Sequence, residues 1–257
     1  SDSCSRCVGS RRHGHSHGRE KTQSLNKGMK SFRKFITEET DAAESYLCEF
    51  ADALADTHKR IDVNGHDLFV PIEENTKLPN KMIASCFHGD EPAGWMGLME
   101  FVKNYKVENV NISYLPIVSR DVFNSGEHLN TRGENANHNV KNQPSEEMSR
   151  LMESRSEWVL RAAEGFLDLH EDPWRDEGYV FSWSDRERLS ERMINIIGEY
   201  FPLFEGGRID SDPQGMLGEY LASLGVNPCL TTETAVLGHD LEHRIECTVK
   251  LIKEFLR

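Results

Sequence analysis

No apolar run of seven or more residues occurs in the first thirty positions, which are built mainly from Arg, His, Ser and Gly. The start of the sequence therefore reads neither as a signal peptide nor as a membrane anchor, and no membrane partner is expected. Positive charge is also short: 30 Lys and Arg stand against 43 Asp and Glu, a formal net charge of -13. Nucleic-acid binding needs clustered cations that displace counterions from phosphates, so that class of partner is excluded. Six cysteines are present, and Cys48, Cys86, Cys229 and Cys247 are dispersed without the spacing of a disulfide framework. That pattern fits a reducing compartment and a cytoplasmic protein. No internal repeat is visible, and 19 glycines and 9 prolines are too few for a fibrous or disordered chain. What is present is a globular balance over 257 residues, 37% hydrophobic and 28% charged, enough for one large α/β domain or two small ones.

Residues 1–30 are polar and follow no helix or strand period, so a tail is expected there and a single folded domain over 31–257. Phe32, Phe35, Ile36, Tyr46, Leu47, Phe50 and Leu54 recur at helical spacing. Asn64-Gly65 sits between two short runs and predicts a hairpin, because both residues tolerate positive φ. The apolar run 82–87 predicts a buried strand, and Pro92 opens a helix to about 103, the first half of a βαβ unit. Runs 110–118, 165–169 and 228–232 predict further buried strands, with helices over 145–163, 184–200 and 240–256. The alternation predicts a three-layer α/β/α architecture. Two stretches read as active-site loops: the Asn-rich 116–144, and 171–183 with Trp174, Tyr179, Phe181 and Trp183, which either line a pocket or pack together.

His88-Gly89-Asp90-Glu91 follows one of these strands and precedes a helix, so an imidazole and a carboxylate share one tight turn. Catalytic zinc takes three such protein ligands and leaves a position open. Asp168-Leu169-His170-Glu171-Asp172 supplies the third from the end of another strand, and Glu233, in Thr231-Thr232-Glu233-Thr234, ends a third. Open α/β sheets bind ligands at the carboxyl ends of their strands, where a carboxylate beside a metal could take a proton from water. His239-Asp240-Leu241-Glu242-His243 matches the H-x-x-E-H pattern of metal-binding helices, but only fourteen residues follow it and a solvated helix face explains it as well. Cys4 and Cys7 with His13, His15 and His17 could hold a second metal or be plain polar tail. Ser85, Cys86 and Cys229 show no nucleophile arrangement.

Taken together, these segments resemble the M14 superfamily of zinc carboxypeptidases, which includes the succinylglutamate desuccinylase and aspartoacylase branch. His88 to Glu91 looks like the family's H-x-x-E pair, Asp168 to His170 like its third-ligand strand, and Thr232 to Thr234 like the strand bearing its general base, in the same order. The run from Leu129 to Asn139 looks like the loop carrying an oxyanion arginine and an Asn-Arg carboxylate clamp. The resemblance, over roughly 82–257, implies a central mixed, mostly parallel sheet and one zinc ion held by His88, Glu91 and His170. It implies Glu233 and Arg132 as catalytic groups, and Asn137 with His138 at the substrate. His138 stands where the family has arginine, and a neutral imidazole cannot make a permanently charged fork; Arg120 is the candidate replacement. The implied activity is carboxypeptidase-like hydrolysis of a peptide amide. Alternatives are deacylation of a small N-acyl amino acid and a catalytically inactive metal-binding relative.

Overall fold

The structure, a computed structural model, describes residues 41–186, 188–209 and 215–257. The expected tail, with its Cys4/Cys7 and histidine cluster, and residues 31–40 lie outside them.

Helix α1 (Ala42–Leu54) starts at Asp41, whose carboxylate accepts from the Glu44 N–H at 3.1 Å. Its apolar stripe, with Tyr46, Leu47 and Phe50, is buried. The hairpin β1 (His58–Val63) and β2 (His66–Pro71) follows, its turn made by Asn64 at φ 53° and Gly65 at φ 88°. Then come β3 (Asn80–Ser85), α2 (Pro92–Asn104) with proline in its first turn, and β4 (Asn111–Leu115). The Asn-rich stretch contains a short helix, α3 (Arg120–Ser125). The expected helix 145–163 is broken into α4 (Glu146–Glu153), α5 (Arg155–Trp158) and a 3₁₀ turn over Val159–Ala162. The chain continues with β5 (Phe166–Asp172), β6 (Gly178–Ser184), α6 (Leu189–Tyr200), β7 (Leu203–Ile209), α7 (Leu217–Ser223), β8 (Cys229–Ala235) and α8 (Leu241–Phe255).

The eight strands form one mixed sheet in the order β1-β2-β4-β3-β5-β8-β6-β7. The centre, β4-β3-β5-β8, is parallel, and antiparallel pairings flank it at β2/β4 and β8/β6. Alternate residues of each strand serve the two faces. Ile83, Leu167 and Leu169 pack with α1, α2 and α8, while Met82, Ala84 and Phe166 pack with α4, α5 and α7. The expected α/β sandwich is the observed fold. Two expectations change. The stretch 171–183 is not all loop, because residues 178–184 pair antiparallel with β8 along an alternating pattern that aromatic residues disguised. The third and fourth central strands also run farther than their apolar runs: β5 and β8 are buried along their full lengths, charged ends included.

Candidate metal centre

The strand ends that matter are neighbours. Ser85 pairs with Leu169, and His170 pairs with Glu233, so the turn after β3 and the last residues of β5 and β8 meet at one edge. Cys86 turns the chain there at φ 57°, a strained conformation for a side-chain-bearing residue, and Phe87 then stacks on the His170 ring at 5.3 Å. Gly89 passes so close to α3 that a β-carbon would stand 1.9 Å from the Val122 carbonyl oxygen. Its N–H donates to the Glu127 carbonyl at 2.8 Å, which pins the turn.

His88 presents Nδ1 to Glu91 Oε1 at 2.6 Å, and His170 presents Nδ1 to Glu91 Oε2 at 2.8 Å. The far nitrogens face acceptor oxygens: His88 Nε2 lies 2.9 Å from Asn135 Oδ1, and His170 Nε2 lies 3.0 Å from Asp168 Oδ2. Asn137 Nδ2 also lies 3.0 Å from His170 Nε2; in the tautomer with the proton on Nε2, each ring would turn its Nδ1 lone pair to the centre, the arrangement that metal-binding histidines use. All three side chains are buried, and their donor atoms lie within 4.8 Å of one another. Two imidazoles and a carboxylate facing each other with lone pairs fit a divalent cation of the zinc type.

Burial pushes the Glu91 carboxyl up, but His88 and His170 outweigh it and hold it well below the usual range. For His170 burial is likewise outweighed, by Asp168 and Glu91, which raise the ring well above the usual imidazole range. Burial raises Glu233 well above the usual carboxylate range; His170 opposes the rise, and Glu91 and Asp172 add to it. Glu233 lies in the same cleft as His88 and Glu91, a space of about 130 Å³. A larger groove of about 710 Å³, lined by Tyr105, Tyr200, Ile245 and Lys253, lies elsewhere and contains no such convergence. His239 and His243 spend their Nε2 atoms on the Asp176 and Tyr200 carbonyl oxygens.

The remaining sequence candidates are placed differently. Arg120 is bound to Asp67 and to Glu44, and Arg132 is exposed and bound to Glu146. Neither lines the cleft. Asn137 does, but it is buried, donating to Asp168 Oδ2 at 3.2 Å and accepting from the Leu217 N–H at 2.9 Å. Its Nδ2 also lies 3.0 Å from His170 Nε2, so it touches both His170 and Asp168 while lining the cleft. His138 is exposed. Sequence reasoning missed His128, whose ring stacks on His88 at 3.8 Å, with Nδ1 3.1 Å from Asp90 Oδ1 and Trp174 against its edge. A histidine in an Asn-rich candidate loop was the available signal. It also missed the strand alternation of Tyr179 and Phe181, both of which line the cleft.

No protein-family model matches the chain, and no curated protein matches it by sequence. Solved structures do. One is a Shewanella denitrificans OS217 protein named a metallopeptidase by homology: 26% identity, TM-score 0.76, covering 84% of this chain and 89% of that one. A metallo-carboxypeptidase from Pseudomonas aeruginosa, solved with (2-guanidinoethylmercapto)succinic acid, shares the fold at 15% identity and TM-score 0.65, covering 83% and 68%. A succinylglutamate desuccinylase from Silicibacter sp. TM1040 shares it at 14% identity and TM-score 0.52, covering 74% and 59%. The fold is shared with these metallopeptidase, carboxypeptidase and desuccinylase structures, and the described residues include a His/Glu cluster that could hold a metal ion. These neighbours are consistent with the M14 superfamily, the family that the motifs resemble.

Proposed function

We propose that the protein is a zinc-dependent hydrolase of amide bonds that works by carboxypeptidase-type chemistry on a small peptide. The observation that carries this reading is the cluster of His88, Glu91 and His170, with Glu233 paired to His170 across adjacent strands and lining the same cleft as His88 and Glu91. His88, Glu91 and His170 would hold the ion, which when bound supplies a Lewis acid that acidifies water and polarises a carbonyl. Glu233 takes the proton from the attacking water and passes it to the leaving amine, so one carboxyl group serves as base and then acid. Asp168 and Asn135 keep the two imidazoles oriented. The small cleft favours a second reading, deacylation of a small N-acyl amino acid. The four described cysteines are free, which supports a reducing, cytoplasmic setting.

Metal analysis and an amide-substrate panel test the assignment. Purified protein is expected to hold close to one equivalent of zinc, lost in His88→Ala and in His170→Ala but kept in Glu233→Gln. Hydrolysis by Glu233→Gln should fall about 10²- to 10⁴-fold. Zinc retained in both histidine variants would refute the ligand set, and undiminished activity in Glu233→Gln would refute the base.

A further inference from the structure

The described residues that line the cleft include no lysine or arginine. The sequence candidates Arg120 and Arg132 do not line it, and two other arginines, Arg244 and Arg175, pair with carboxylates that do. Arg132 is bound to Glu146 and Arg120 to Asp67. Arg244 reaches Glu171 Oε1 at 2.6 Å, and Arg175 reaches Asp172 Oδ2 at 3.1 Å while lying 3.8 Å from the centre of the Phe204 ring. A carboxylate clamp needs a permanently charged fork in the wall itself. The wall offers instead the ring of Trp174, 68% exposed, together with Phe181, Met216 and Tyr179, whose hydroxyl is spent on Asp172 at 2.9 Å. The same lining carries the carboxyl groups of Glu91, Glu171, Asp172 and Glu233 beside His128, Asn135 and Asn137, so a bound carboxylate meets four acidic side chains and no lysine or arginine, whereas a neutral group meets no such opposition.

We infer that the group beside the scissile amide in the substrate is uncharged and apolar or flat, a carboxamide or a continuing amide-linked chain, and not a free α-carboxylate. The inference rests on the amide-hydrolase reading and narrows it, since Trp174 and Phe181 then act as specificity residues.

The test uses benzoylglycyl-phenylalanine and its C-terminal carboxamide, which differ only at that terminal group. Two measurements are made on the zinc-loaded full chain: kcat/KM with the wild type, and calorimetric binding to Glu233→Gln, which needs no turnover. The carboxamide should be favoured by about tenfold or more in both, the least that an unpaired desolvated charge costs. Trp174→Ala, at an exposed position, should weaken carboxamide binding without loss of zinc. Equal or preferred binding of the free acid overturns the inference, and so does binding of neither compound. If the wild type hydrolyses neither while Glu233→Gln still prefers the carboxamide, the hydrolase reading fails and the inference about the bound group stands.

Discussion

Asp168 precedes His170 by two residues on β5, so both side chains leave the same face of the strand and the carboxylate reaches the ring's Nε2. Removing such a partner lets the imidazole change tautomer and turn. Asp168→Ala should lower zinc affinity about 10- to 100-fold, measured by competition with a chromophoric chelator. A different cluster governs acid stability. The Arg60 guanidinium, helped by Arg120, holds Glu44 down to about 2 from 4.5, although burial works against it. The depressed carboxyl favours the folded state above pH 4.5, and that contribution is lost as pH falls toward 2. Comparing melting temperatures of wild type and Glu44→Gln should show wild type more stable near neutrality and the gap closing through that window. The side chain is 41% exposed, so the gap should be modest.

The turn after β3 works only because α3 lies against it. In Gly89→Ala the added methyl meets the Val122 backbone carbonyl, and backbone cannot swing aside as a side chain can. Denaturant titration should show a loss of about 3 kcal/mol, with weaker zinc binding because His88 and Glu91 flank the displaced residue. This packing also marks where the sequence stopped being informative. His88, His170 and Glu233 each follow an apolar run, and a strand's direction fixes where its last side chain emerges, so their meeting at one sheet edge was legible. Residues 116–144 carry no period, and their path is set by contacts such as Gly89 against Val122. Nothing local indicates that His128 comes onto His88 while Arg132 turns to Glu146. Strand β6 was hidden for another reason: one of its faces lines a cleft, so its aromatic residues read as loop decoration.

Across the whole molecule, the C-terminal helix is tied to the candidate metal centre through a buried ion pair. Arg244 on α8 reaches Glu171, whose other oxygen accepts from the Ala93 N–H at 2.6 Å in the first turn of α2. Burial pushes the Glu171 carboxyl up to about 7 even with Arg244 opposing. Arg244→Ala leaves that carboxyl buried without a charge partner, and should cost about 3 to 5 kcal/mol in chemical denaturation. The double variant Glu171→Gln/Arg244→Met should cost less than Arg244→Ala, because no charge is stranded.

The order of the sheet has a bearing on biosynthesis. The three candidate ligands sit after β3 and near the end of β5, strands adjacent in space but separated in the chain by α2, β4 and the whole Asn-rich stretch. A nascent chain on the ribosome that has delivered only the His88 turn holds two of the three donors and no closed site. Long-range strand pairing is slow to form, and it must come first. Zinc capture would then be a late event, and the rate at which refolding protein takes up the ion would time the closure of β5 onto β3 rather than the growth of any helix.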